Sequence, residues 1–342
     1  MDFSTVLIIA VTTSRIIFPG LPAVSSDAAD TSAPAVRSLG IDLFSDVNAN
    51  PLFKAEVVVP DGLRALGPIR LVMDTKKASR AASEPDSNSR FVVKTYWGCA
   101  DEIPQGQPRV RMSDEVSAGV PVERLPDASH AYWYSDTAQS LEADASARGT
   151  YKLITNYCGA TSIVLDADQD FPDPIELTDP PDKTDLGKPI KIAWKPVRRA
   201  VAYLVTAAGG SAAESVNWTS SADPDAACGI EDRAWTAAEI KKLIEDKVLL
   251  PPEAVTCTIP ARVFLGSRSV FVNITAFGVD KVQSSDGIQS RVIVRSTAGV
   301  PVFGTAYKPP SPRQSHQTVP EPVPVFQKPT LGASRAASSI GK

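Results

Sequence analysis

Two histidines, His130 and His316, and four cysteines, Cys99, Cys158, Cys228 and Cys257, bound the chemistry open to this chain of 342 residues. A Ser-His-Asp or Cys-His mechanism needs an imidazole to take the nucleophile's proton. That imidazole would have to be His130, beside Tyr132 and Trp133, because His316 lies in a proline-rich tail. No GxSxG, HExxH, GxGxxG or Walker run accompanies it. His130 therefore reads as a loop or surface histidine, and no catalytic, cofactor-binding or metal-ligating residue is assigned.

Glycoside hydrolysis needs only two carboxylates at the right separation. With 39 acidic residues the sequence selects no pair, so an extracellular carboxylate-dependent hydrolase or glycan-active enzyme stands as the alternative function. Asp166, Asp168 and Asp170 alternate like oxygen ligands, but the sixth loop position is Phe171 where an EF-hand needs Gly, and the twelfth is Leu177 where it needs Glu. These aspartates read as part of a solvated acidic linker. Trp97, Trp133, Trp218 and Trp235 could stack on sugar rings if several shared an outer face; in a β-sandwich the expectation is that they anchor the core. Asn217-Trp218-Thr219 and Asn273-Ile274-Thr275 are glycosylation sequons, meaningful only in a eukaryotic secretory pathway.

None of the cysteines forms a CxxC, which argues against thioredoxin-like chemistry and zinc ribbons. They divide one pair per half, and the expectation is two intradomain disulfides, Cys99 with Cys158 and Cys228 with Cys257; four buried thiols is the alternative. Disulfides imply an oxidising compartment. Thr5–Thr13 is an apolar run too short to span a bilayer, and the small residues Ala23-Val24-Ser25 suit cleavage before Ser26. Asp2 and Arg15 depart from the usual signal pattern, yet residues 1–25 are read as a signal peptide. No other stretch has the length and apolarity of a membrane span, so none is expected once that signal is removed. The location expected is secreted, periplasmic or cell-envelope. A net charge of -4 argues against a general nucleic-acid binder.

Positioning any of these groups falls to strands. Twenty-nine prolines against three methionines favour a loop-rich β protein. The expected organisation is a flexible lead-in over 26–40, a β domain over 41–165, an acidic Pro-rich linker over 166–185, a second β domain over 186–298 and a disordered tail over 299–342. In the first domain, Arg90–Trp97 and Gly149–Cys158 are the clearest alternating strands, each ending at or beside a cysteine. In the second, Lys188–Gly209 joins two apolar-alternating runs across a short basic turn. Ile190, Ile192 and Trp194 share one face, as do Val201, Tyr203 and Val205, and Pro196 rules out a continuous helix. A hairpin-like pairing of the two runs is the expectation. Thr236-Ala237-Ala238-Glu239 matches a capping box opening a helix with Ile240, Leu243 and Ile244 on its buried face.

The Trp-Lys-Pro-Val and Ala-Val-Ala-Tyr-Leu-Val segments resemble the second and third strands of fibronectin type III-like, immunoglobulin-like sandwiches. Ser269–Gly278 and Gly287–Ser296 are similar to that family's last two strands. The resemblance covers about 185–297; the helix-bearing insertion Ser220–Pro252 departs from the family pattern. It implies that Trp194 and Tyr203 bury against each other between sheets, and that the domain serves as a binding or spacer module. The fold class expected is thus mainly β, two β-sandwich-like domains, the second with one inserted helix. The function expected is an exported non-catalytic binding or structural module with no cofactor, whose partner is an unknown protein or glycan.

Overall fold

A computed structural model describes residues 4–18, 33–74, 91–113, 125–126, 128–135, 141–179, 181, 184–211 and 214–305. The cleavage position at 23–25, the polar stretch 75–90, His316 and the tail beyond Thr305 lie outside the described residues.

The protein is mainly β, with strands β1 (Thr5–Ile16), β2 (Val36–Ser45), β3 (Ala55–Val58), β4 (Ile69–Arg70), β5 (Val72–Met73), β6 (Val92–Trp97), β7 (Arg109–Met112), β8 (Ser129–Tyr134), β9 (Gly149–Thr155) and β10 (Ala160–Leu165) in its first half. The second half contributes β11 (Ile190–Ala193), β12 (Ala202–Gly210), β13 (Glu214–Thr219), helix α1 (Ala237–Glu245), β14 (Thr256–Ile259), β15 (Ser269–Phe277), β16 (Lys281–Ser285) and β17 (Ile288–Phe303).

One long sheet runs β5-β8-β2-β1-β17-β15-β12-β13-β6-β7, with β16 also paired to β17. Two smaller sheets, β10-β9-β3-β4 and β11-β14, supply the opposing layers. The 16-residue β17 explains how one sheet serves both. Side chains alternate along a strand, so its even-numbered residues all face one side. Ile288, Val292 and Val294 enter the first core with Val57, Tyr151, Leu153 and Ile163. Ala298, Val300 and Val302 enter the second, with Trp194, Tyr203, Val205 and Ile259. The two halves therefore have separate apolar cores under a shared sheet, and the described residues belong to one compact unit. Val300 and Val302 are fully buried, so ordered strand continues past the expected tail boundary at 299.

The described part of 166–185, expected as a solvated acidic linker, packs onto the two halves. Phe171 and Ile175 are buried, Leu177 bridges to Trp194, and the carbonyls of Pro172 and Asp173 accept hydrogen bonds from Thr13 and Ser296. Pro172 and Pro174 keep this stretch out of a helix while Phe171 and Ile175 beside them dock.

The run expected to be a leader forms β1. It pairs parallel with β17 and antiparallel with β2, burying Leu7, Ile9 and Val11 in the first core. An unbroken apolar stretch of this length satisfies a signal sequence and a core strand equally: Leu7, Ile9 and Val11 fill the core, while Ile8 and Ala10 on the other face are apolar but only partly buried.

The expected hairpin between Lys188 and Gly209 is also corrected. β11 pairs with β14, not with β12, and β12 lies between β13 and β15 in the long sheet. Lys195–Ala200 crosses from one layer to the other, which puts Trp194 opposite Tyr203 rather than beside it. β12 is apolar on both faces because its other side, Ala202 and Leu204, is covered with Phe277 by the helical insertion through Ile230, Ile240 and Leu249. The capping box of α1 forms as read: Thr236 Oγ1 accepts from the Glu239 amide, and the Thr236 amide donates to Glu239 Oε2 at 2.8 Å.

Candidate binding face on the paired strands β2 and β8

In the antiparallel pair β2/β8, Gly40 lies opposite Tyr134, Asp42 opposite Tyr132, and Phe44 opposite His130. Directly opposed residues share a face, so these six project from one side while Leu39, Ile41, Leu43 and Ala131 fill the first core on the other. Gly40 leaves room for a ring: a Cβ there would meet Tyr134 Cδ1 at 2.8 Å. The Tyr134 ring thus lies across the glycine, and its hydroxyl reaches diagonally to donate to Asp42 Oδ1 at 2.5 Å.

Asp42 is the hub. The same Oδ1 lies 2.8 Å from His130 Nε2, with the His130 and Asp42 side chains 28% and 15% exposed. On the far side of His130, Phe44 stacks nearly parallel, centroids 4.4 Å apart at 4°. Tyr132 then continues the row, tilted by about 30° to both neighbours, at 5.4 Å from His130 and 5.8 Å from Tyr134. Four aromatic rings and one carboxylate therefore form a continuous row, with Tyr134 about half exposed. Burial, and after it the hydrogen bond to Asp42, pushes the Tyr134 phenol up from its ordinary value. Such a face offers an exposed ring, a carboxylate and a hydroxyl; a His–Asp pair of this kind orients an imidazole, but among the described residues His130 meets Asp42, Phe44 and Tyr132 and no serine or thiol nucleophile.

His130 and Tyr132 were thus legible as neighbours in sequence, but Trp133 points into the first core. Asp42, Phe44 and Tyr134 were missed. The signal was present in the matching i, i+2, i+4 spacing of Gly40-Asp42-Phe44 and His130-Tyr132-Tyr134, which acquires meaning only when β2 and β8 are paired.

The tryptophans do not share an outer face. Trp194 and Trp218 are buried, Trp235 sits under Arg233 at 4.2 Å, and Trp97 under Arg109 at 5.7 Å. The alternating aspartates are engaged locally: Asp166 accepts from the Asp168 amide, and Asp170 accepts from the amide of Ala147 and pairs with Arg148 at 3.2 Å. Among the described residues no cluster of three or more His, Cys, Asp or Glu is arranged to hold a metal.

The disulfide expectation requires correction. Cys99 bonds to Cys257, S–S 2.07 Å, while Cys158 and Cys228 are free thiols. The cause is topological. β6 does not remain with the first half; it adds parallel to β13, and the turn after it reaches β14 through the Ala100 amide and the Thr258 carbonyl. Trp218 Nε1 donates to the Gly98 carbonyl at 3.1 Å, fixing that turn beside Cys257. Cys158 lies in the turn after β9, where burial pushes its thiol up, and Cys228 is exposed in the helix-bearing insertion.

No protein-family model matches this chain, and no curated protein matches it either. No helix among the described residues is long and apolar enough to cross a membrane.

Proposed function

We propose that this chain is an exported, non-catalytic binding or structural module of the cell envelope or extracellular space. The observation that supports the binding role is the row of rings around Asp42, whose polar atoms bond to one another and whose Tyr134 ring is about half exposed while Phe44, His130 and Tyr132 are partly buried. The Cys99–Cys257 bond supports an oxidising location, since structural disulfides rarely persist in a reducing cytosol. Because Thr5–Ile16 is a core strand, the export reading rests on that disulfide and not on the apolar run.

The second half supports a fibronectin type III-like reading. Its strands follow the order β13-β12-β15-β17 opposite β11-β14, with Trp194 and Tyr203 between the layers. A net charge of -4 weighs against nucleic acid as the partner.

Fractionation of the source cells after alkylation of intact cells tests the location. The chain is expected in the medium or envelope, with two of its four cysteines free. Recovery from the cytosol with four free thiols contradicts the reading.

A further inference from the structure

We draw no further inference here: the strongest candidate, the partly exposed apolar patch of Ile16, Phe271 and Pro301 around Gly299 on the outer face of the long sheet, is an unpartnered face, and nothing in the structure shows what covers it.

Discussion

Trp194 and Tyr203 meet across the second sandwich with ring centroids 5.4 Å apart and planes inclined by 56°, both all but inaccessible to solvent. Trp194 follows the strand β11 in the small sheet and Tyr203 belongs to β12 in the long one, so the contact joins the layers. The Tyr203 hydroxyl also accepts the Val197 amide at 2.9 Å, anchoring the crossover between them. Trp194→Ala should cost about 3–5 kcal/mol of unfolding free energy in urea, through lost burial and the cavity left behind. Tyr203→Phe should cost about 1–3 kcal/mol, because the buried Val197 amide loses its acceptor. A Trp194→Ala loss below about 1 kcal/mol would place the ring outside the core.

Strand β1 makes a claim on stability as well. Leu7 and Ile9 are 1% and 0% exposed and lie between β2 and β17. Leu7→Ala and Ile9→Ala should each cost about 2–5 kcal/mol, and β1 amides should exchange as slowly as those of β17. Wild-type stability in both variants, with fast exchange across 5–16, would return this segment to the role of a detachable leader.

The helical insertion is fastened by a buried ion pair. Arg295 Nη1 and Asp280 Oδ1 are 2.7 Å apart with side chains 4% and 1% exposed. Asp280 also accepts the amides of Trp235 and Val294, while Arg295 donates to the carbonyls of Glu231 and Arg233 and lies over Phe277. Burial pushes the Asp280 carboxyl up against the opposing pull of Arg295. Asp280→Ala should destabilise by about 3–5 kcal/mol, since it strands a guanidinium in the interior. Asp280→Leu with Arg295→Met should recover much of that loss; a double variant as unstable as the sum of the singles would contradict the pairing.

Alkaline pH should weaken the fold through its buried phenols. Burial is the first cause pushing Tyr151 and Tyr157 up from the ordinary value of 10.0, followed by Asp170 for Tyr151 and Cys158 for Tyr157. Below that value both folded and unfolded chains hold these protons, so nothing changes. Above it the unfolded chain releases them while the native chain retains them; the native state binds more protons, and stability falls as pH rises. Phenolate absorbance should therefore lag in the native protein and appear with unfolding, and Tyr151→Phe should remove one late-titrating group. An alkaline titration unaltered by Tyr151→Phe would contradict this.

What was legible in the sequence were periodicities and local caps: the alternation around Trp194 and Tyr203, the Thr236 capping box, the strands ending near Cys99 and Cys158. Partnership between distant strands was not. The apolar run of β1 carries no mark of whether it is removed or interior. β6 reads as a first-half strand, yet it completes the second sheet through β13, and no local pattern records a parallel pairing made across more than a hundred residues. The ring row was hidden for the same reason, since Asp42 and His130 meet only when β2 and β8 align. The wrong disulfide pairing came from assuming that neighbours in sequence are neighbours in the sheet.

That crossing of β6 into the second half is the relationship on which the architecture turns, and the cysteines report it. Mass spectrometry of unreduced, alkylated peptides should recover Cys99 linked to Cys257, with Cys158 and Cys228 carrying the alkyl label after unfolding. A peptide linking Cys99 to Cys158, or Cys228 to Cys257, would contradict the account.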